Sequence, residues 1–591
     1  MPMLKRPWEK YEPFVGPSLP NRTWPSKTIK CAPRWLATDL RDGNQSLESP
    51  MTTSQKMAYF KMLVDLGYKE IEVSIPTASA TEYNFTRQLI ETAGAVPDDV
   101  WLQVLCPCRL DLIQSTVKSL EGAKKAIISL YFASSPVWLD TVFGMSQQDV
   151  YERVVEAVEY MKSITKNDIS QNGTTWNLMF SPEAFSGSEM SFCLRLCEAV
   201  KGIWAPTVET PIILNLPATV EMSTPNVYAD QVEIFSTSIS ERQKVCVSLH
   251  VHNDRGCSVA AAELGLLAGG ERIEGCLFGN GERAGNVDLV ILALNLYSQG
   301  IDPRVDYSNI SSVREVVETS IKIKVHPRAP YSGELFFTAY SGAHQDGIHK
   351  GLAKFKAGSD DHRRLWKVPY LSIDPEDLGF SQADIIRLNS QSGKSGVGWT
   401  LLHELHVELP KGLQHHFSKI IKRVSEAIGG TISPSNVVGI FLEHYFILEP
   451  DERILSAELT PVHESELQNG KRLAISHVEG NTLWNVNAVI SVEGIQQRLE
   501  NRGPNVIEAL SNALNTASLG LGDVKFNVTK YTVNPPHKDL KTLVAVECQS
   551  EGYITSGWGV RSFNGTDHCE LMAALSAALV QSLKALSLTR R

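Results

Sequence analysis

The chain has no apolar run approaching the roughly 18 residues that a membrane-spanning helix requires; its most apolar stretches, such as Pro211 to Pro217, are strand-sized. An integral membrane protein is therefore excluded. Basic charge is in deficit, with 56 Lys plus Arg against 66 Asp plus Glu for a net charge of −10, which argues against a nucleic-acid partner. The 10 cysteines form no framework, and the close pair Cys106 and Cys108 has one residue between them rather than the two of a zinc knuckle. Reduced thiols in the cytosol are expected. The first residues carry Glu9 and Glu12 among several prolines, with neither an apolar signal core nor an Arg-rich leader. No Walker lysine motif and no Gly-x-Gly-x-x-Gly turn opens a helix, so neither nucleotide hydrolysis nor hydride transfer is favoured.

What is present is an alternation. From Arg34 to about Gly300, short β-branched or apolar runs are followed by stretches of helical periodicity. The runs are Trp35–Leu40, Glu70–Ser74, Trp101–Leu105, Ala126–Phe132, Trp176–Phe180, Pro211–Leu216, Val245–His250 and Arg272–Phe278. Helical candidates between them include Ser54–Leu66, Gln147–Ile164, Ser188–Val200 and Cys257–Ala268. Eight strand-helix units fit a (β/α)8 TIM barrel better than an open doubly wound sheet. The expected organisation is an N-terminal extension over 1–33, the barrel over 34–325, helical linker subdomains over 326–479 and a C-terminal α+β regulatory-type domain over 480–591. In that tail, Val506–Leu514 resembles Leu571–Leu579, each following a strand-like segment (Trp484–Val492 and Thr542–Glu547). The pair reads either as a duplicated effector-binding or dimerisation unit or as two ordinary helices.

In a TIM barrel the active site forms at the C-terminal ends of the strands. There this sequence places Arg41-Asp42, Ser181-Pro-Glu183, Asn215-Leu-Pro-Ala-Thr219, His250-Val-His252 and the glycine-rich stretch from Gly279 to Asn286. His250 and His252 are two apart on a strand, so their rings project from one side, as two ligands of one metal must. With Asp42 and Asn286 they form a set suited to Mg2+, Mn2+ or Zn2+. Arg41 can neutralise an acidic substrate or form a salt bridge with a neighbouring acid. Thr219 can hydrogen-bond a carboxylate or cap a helix. Glu183 can assist proton transfer or sit solvated.

Jointly these motifs resemble the 2-isopropylmalate synthases. The resemblance is carried by Leu40-Arg-Asp-Gly-Asn-Gln45, by Asn215-Leu-Pro-Ala-Thr-Val-Glu221 with Thr224-Pro-Asn-Val-Tyr-Ala-Asp230, and by His250-x-His-Asn-Asp-Arg-Gly256. Gly275-Cys-Leu-Phe-Gly-Asn-Gly-Glu-Arg283 and Asn389-Ser-Gln-Ser-Gly-Lys394 extend it over nearly the whole chain, and Pro2-Met-Leu with Leu19-Pro-Asn-Arg22 looks like the fungal form. It implies condensation of acetyl-CoA with 2-oxoisovalerate followed by thioester hydrolysis. Asp42, His250 and His252 would ligate a divalent cation with Asn286 nearby. Arg41 and Thr219 would hold the 2-oxo acid, and Asn215 would belong to the same substrate site. Removal of a proton from the acetyl methyl is implied for His344, in Ser341-Gly-Ala-His344-Gln-Asp346, working with Glu183 and with Tyr370 of the linker. In relatives these linker residues reach the partner subunit's barrel, which implies a domain-swapped homodimer. Without the resemblance, His344 reads as an exposed loop histidine.

The departures concern substrate choice. The family usually has a His where Ser129 stands, Phe-Pro-Ser-Ala-Ser-Gln where this chain has Ile75-Pro-Thr-Ala-Ser-Ala80, and an acidic residue where it has Met179. Smaller groups predict a larger pocket and a bulkier 2-oxo acid, with 4-hydroxyphenylpyruvate giving 2-(4-hydroxybenzyl)malate as the alternative to 2-oxoisovalerate. A non-catalytic amino-acid sensor is a further alternative. The reduced glycine segments of the tail, Asn501–Pro504 and Ser556–Gly559, leave leucine inhibition open.

Overall fold

The computed structural model describes residues 14–357 and 365–445, apart from 382–386, 390–391, 393 and 406–408, and beyond 445 separate elements between 476 and 582. Eight parallel strands close into a barrel in chain order, with the first and eighth paired. They are β1 (Arg34–Ala37), β2 (Glu70–Ser74), β3 (Trp101–Pro107), β4 (Lys125–Ala133), β5 (Thr175–Glu183), β6 (Ile212–Ala218), β7 (Val245–Val251) and β8 (Arg272–Gly275). Each leads to a helix: α1 (Thr53–Asp65), α2 (Ala80–Glu91), α3 (Leu110–Ser119), α4 (Gln147–Ser163), α5 (Met190–Trp204), α6 (Pro225–Ser238), α7 (Ser258–Leu267) and α8 (Leu289–Ser298). Local chemistry sets several helix starts. At α1, the Thr52 hydroxyl accepts from the Gln55 amide while Gln55 accepts from the Thr52 amide; Ser146 and Asp149 repeat this box at α4.

β2 ends where expected, β3, β4, β6 and β7 run one or two residues further, and three strand ends differ from the expected runs by three residues. β1 stops at Ala37 because the chain winds into a π-helical turn over Asp39–Gly43, in which the Thr38 carbonyl accepts from the amides of Arg41, Asp42 and Gly43. β5 runs on to Glu183, pairing there with β4 but with β6 only at Met179 and Phe180, so Pro182 lies where no ladder amide is missed. β8 ends at Gly275, where a Cβ would lie 2.5 Å from the Val287 carbonyl; the chain folds back on itself and bridges Cys276 to Asp288.

The barrel interior is filled by alternate residues of each strand. Buried Ile127, Met179, Ile213 and Cys246 pack together there, with Trp101 against them. A last barrel-side helix, α9 (Ile310–Ile321), follows.

The chain divides into two compact units, Met1–Phe336 with Glu376–Phe380, and Phe337–Pro375 with Ser381–Arg591. The second unit holds α10 (Gly342–Ala357), α11 (Lys394–Leu405), α12 (Lys411–Ile428) and α13 (Pro434–Tyr445), the helical pieces expected after the barrel. Buried Phe417, Phe441 and Tyr445 join α12 to α13. Beyond them come β9 (Ser476–His477), β10 (Trp484–Val492), β11 (Ile495–Gly503), α14 (Val506–Thr516), β12 (Val524–Thr532), β13 (Thr542–Ser550) and β14 (Gly557–Phe563). They form two three-stranded antiparallel sheets, ordered β11-β10-β9 and β12-β13-β14. Of the internal repeat, Val506–Leu514 is α14, whereas most of 571–579 lies outside the described residues.

Candidate active site at the barrel mouth

A cavity of about 250 Å³ opens at the C-terminal ends of the strands. Arg41, Asp42, Glu183, Asn215, Thr219, His250 and His252 all line it, as do Ser129, Ile75 and Met179. The strand periodicity thus brings together every barrel residue proposed for the site from sequence except Asn286, which lies beside it.

The two imidazoles come from the end of β7. His250 Nε2 lies 3.3 Å from His252 Nε2 and 3.4 Å from Asp42 Oδ2, and His252 Nε2 lies 4.0 Å from the same oxygen. Two ligands each about 2.1 Å from a tetrahedral ion would stand about 3.4 Å apart, so these separations suit one small cation. Asp42, His250 and His252 are all buried, and among the described residues they are the one group of His, Cys, Asp and Glu side chains clustered closely enough to share an ion. The Asp42 Oδ2 atom has no hydrogen-bond partner, nor has Asn286 Oδ1. Buried oxygens without a partner are costly, and a cation shared by this cluster would satisfy the Asp42 oxygen. Asn286 is held against His252 by a β-bridge, and its Nδ2 donates to Cys276 Sγ at 3.3 Å and the Asn280 carbonyl at 3.3 Å, which leaves Oδ1 as its available ligand. Gly285 has φ +99° and a Cβ there would fall 2.0 Å from the Gly279 carbonyl, so the Gly279–Asn286 turn depends on glycine.

The electrostatics favour a cation as well. Burial alone would raise the Asp42 carboxyl, but Arg41, His250 and His252 outweigh it and hold the group well below the usual carboxylate range. Burial disfavours charge on His250, yet the carboxylates of Asp42 and Glu274 beside it push it up to about 9. Burial and then the neighbouring His250 hold His252 down to about 4. The pair therefore draws one positive charge into the site.

Arg41 forms the salt bridges that sequence offered as one of its two roles: Nη1 to Asp42 Oδ1 at 3.0 Å and Nε to Glu72 Oε2 at 2.6 Å. These fix the guanidinium at the cavity wall and leave Nη2 for a ligand. Thr219 caps no main helix; its Oγ1 accepts from the Ala184 amide at 2.9 Å, which leaves the hydroxyl proton for a substrate oxygen. Asn215 donates to Ser181 Oγ at 3.1 Å, and its Oδ1 is unpartnered. Ser129 is fully buried with Oγ unpartnered. Burial raises the Glu183 carboxyl above the ordinary glutamate range, with Arg41 and His250 pulling the other way. It is not a solvated surface acid.

His344 and Tyr370 belong to the second unit. His344 lies in the first turn of α10, not in a loop, and its ring stacks on Tyr370 with centroids 4.1 Å apart and 21° between planes. Tyr370 is 60% exposed.

Sequence reasoning missed Glu72 and Glu274, the carboxylates that grip Arg41 and His250. The signal was available: in Glu70-Ile-Glu72 and Arg272-Ile-Glu274 charges alternate with apolar residues at the same period as His250-x-His252.

A family model described as HMGL-like matches residues 32–317, and one described as Alpha-isopropylmalate synthase, post-catalytic domain-like, matches 334–402. The 2-isopropylmalate synthase of Schizosaccharomyces pombe is 52% identical over 452 residues, 76% of this chain and 76% of that one. The Saccharomyces cerevisiae protein named 2-isopropylmalate synthase 2, mitochondrial, is 46% identical over 90% of this chain and 84% of its own length. The 2-isopropylmalate synthase of Pseudomonas savastanoi pv. phaseolicola is 47% identical over 88% of each. None of these names points to an arylpyruvate or to a sensor. With such identity across most of both chains, and a barrel mouth built as the shared motifs require, this protein is a member of the 2-isopropylmalate synthase family.

Proposed function

We propose that the chain is an acyltransferase that condenses acetyl-CoA with 2-oxoisovalerate, water then releasing CoA and 2-isopropylmalate. The observation that carries this is the buried Asp42–His250–His252 cluster beside Arg41 in one cavity. A divalent cation held there, with Asn286 alongside, would supply Lewis acidity to the keto oxygen. Arg41 offers Nη2 to the substrate carboxylate, and its fixed ion pairs remove the need to reorganise on binding. Thr219 donates its hydroxyl to the same substrate, and Asn215 Oδ1 and Ser129 Oγ supply polar contacts at the cavity wall.

Condensation requires a proton to leave the acetyl methyl, a weak carbon acid. Glu183, at the mouth and raised by burial, is suited to hold and pass a proton. We assign the other part of this transfer to His344, oriented by its stack on Tyr370. Delivery of that pair from a second copy, in a domain-swapped homodimer, belongs to the same reading.

Mg2+, Mn2+ and Zn2+ all suit the donor set. Among the described residues no helix is long and apolar enough to cross a membrane. A cytosolic location is the reading of the sequence, and fractionation would decide it against the organelle named for one relative.

The test is CoA release with added divalent cation against a panel of 2-oxo acids. Strong preference for 2-oxoisovalerate is expected; preference for an aryl 2-oxo acid would move the assignment to the bulkier substrate, and no release with any would defeat it.

A further inference from the structure

Below the cavity the barrel interior carries a charged network alongside the apolar Ile127, Met179, Ile213 and Cys246, where such interiors are ordinarily filled by branched apolar residues throughout. Arg272, at the start of β8, is fully buried. Its Nε meets Glu70 Oε2 at 2.7 Å, Nη1 meets Glu274 Oε1 at 2.7 Å and Ser248 Oγ at 3.1 Å, and Nη2 meets Gln103 Oε1 at 2.7 Å. Met179, standing where an acid is usual, brings its sulfur to 3.3 Å from Nη1.

Two arms leave this hub. On one, Glu274 Oε1 also accepts from Ser248 at 2.6 Å, while Oε2 lies 3.2 Å from His250 Nδ1. That contact places the proton on Nδ1 and turns Nε2 towards Asp42 and His252. On the other arm, Gln103 Nε2 donates to Glu72 Oε1 at 2.9 Å, and Glu72 Oε2 holds Arg41 Nε at 2.6 Å. One arm therefore ends on a proposed metal ligand and the other on the cation proposed for the substrate carboxylate.

Stability alone does not explain so many buried ions, because desolvation offsets most of their attraction and an apolar filling does as well. Their arrangement does make sense as register. We propose that Arg272 is a positioning residue, which sets the His250 imidazole through Glu274 and the Arg41 guanidinium through Gln103 and Glu72. The metal grip and the carboxylate grip are thereby aligned from one buried point.

This inference rests on the proposed roles of His250 and Arg41, and the two arms can be cut separately in the full-length protein. Mn2+ affinity is measured by calorimetry, and kcat and KM for 2-oxoisovalerate at saturating Mn2+, after circular dichroism has established folding. Glu274→Gln is expected to weaken Mn2+ binding about 10–100-fold while KM stays within about twofold. Gln103→Met is expected to raise KM by about tenfold while Mn2+ affinity stays within about threefold, as for a group acting on Arg41 through one intervening carboxylate. Arg272→Lys should move both. Should Glu274→Gln fail to fold, Ser248→Ala loosens the same arm and is expected to cost Mn2+ affinity several-fold. Folded variants that leave both parameters at wild-type values, or that lose both together whichever arm is cut, would overturn the positioning role. A wild-type protein that binds no Mn2+ would instead sink the site reading, and this inference with it.

Discussion

Asp39 offers a stability prediction that can be worked from its surroundings. It is 3% exposed at the start of the π-helical turn; Oδ1 accepts from the Tyr59 hydroxyl at 2.6 Å and the Leu277 amide at 2.9 Å, and Oδ2 has no partner. It thus ties the turn carrying Arg41 and Asp42 to the loop that ends at Asn286. Burial raises its carboxyl to about 7 against those two hydrogen bonds, with Asp288 adding to the rise. Because the folded value exceeds the unfolded one of about 3.9, the folded protein binds more protons in between. Stability therefore falls as pH rises from about 4 to about 7. At 1.36 kcal/mol per pH unit, this one group removes roughly 2–3 kcal/mol between pH 5 and pH 8. Asp39→Asn keeps the Oδ1 acceptor and has no charge to bury. Its thermal midpoint should fall less than that of wild type over this range, by about 4 °C for a barrel of this size. Scanning calorimetry at both pH values, with saturating Mn2+ in each, checks this. Parallel pH dependences in the two proteins would refute the buried, raised carboxyl.

Two further substitutions probe the site directly. Glu183→Gln should lower kcat by about 10²–10⁴-fold, the usual range for loss of a positioned acid or base, with Mn2+ affinity held. Wild-type activity should rise with pH through a midpoint above the ordinary glutamate range, and the variant should lack that limb; a retained limb would exclude Glu183. Gly285→Ala forces a side chain onto the Gly279 carbonyl at φ +99° and should cost about 1–3 kcal/mol in strain. A lower melting midpoint and weaker Mn2+ binding are expected as Asn286 shifts, and wild-type values for both would contradict the glycine-dependent turn.

How much was legible in the sequence follows from how local each determinant is. The eight strands were readable because buried parallel strands are short apolar runs, and capping boxes such as Thr52–Gln55 mark the helices between them. The strand ends at β1, β5 and β8 were not, because a π-helical turn, an unpaired edge at Pro182 and a backbone contact at Gly275 are tertiary events. Asp42, His250 and His252 were readable as donors with the right period at the right strand ends. Their supports were not: Arg272 to Gln103 and Asp39 to Leu277 are contacts across 169 and 238 positions, which no local pattern encodes. His344 and Tyr370 were found by resemblance alone, and the stack between them emerged only from the fold.

The central claim is that one divalent cation at Asp42, His250 and His252 governs condensation. Its most direct test is CoA release from acetyl-CoA and 2-oxoisovalerate by chelator-stripped enzyme during a Mn2+ titration. No release is expected until Mn2+ is added, with saturation at one ion per chain and no recovery in His252→Ala over the same range. Full turnover in the stripped enzyme, or an unchanged titration in the variant, would contradict the claim.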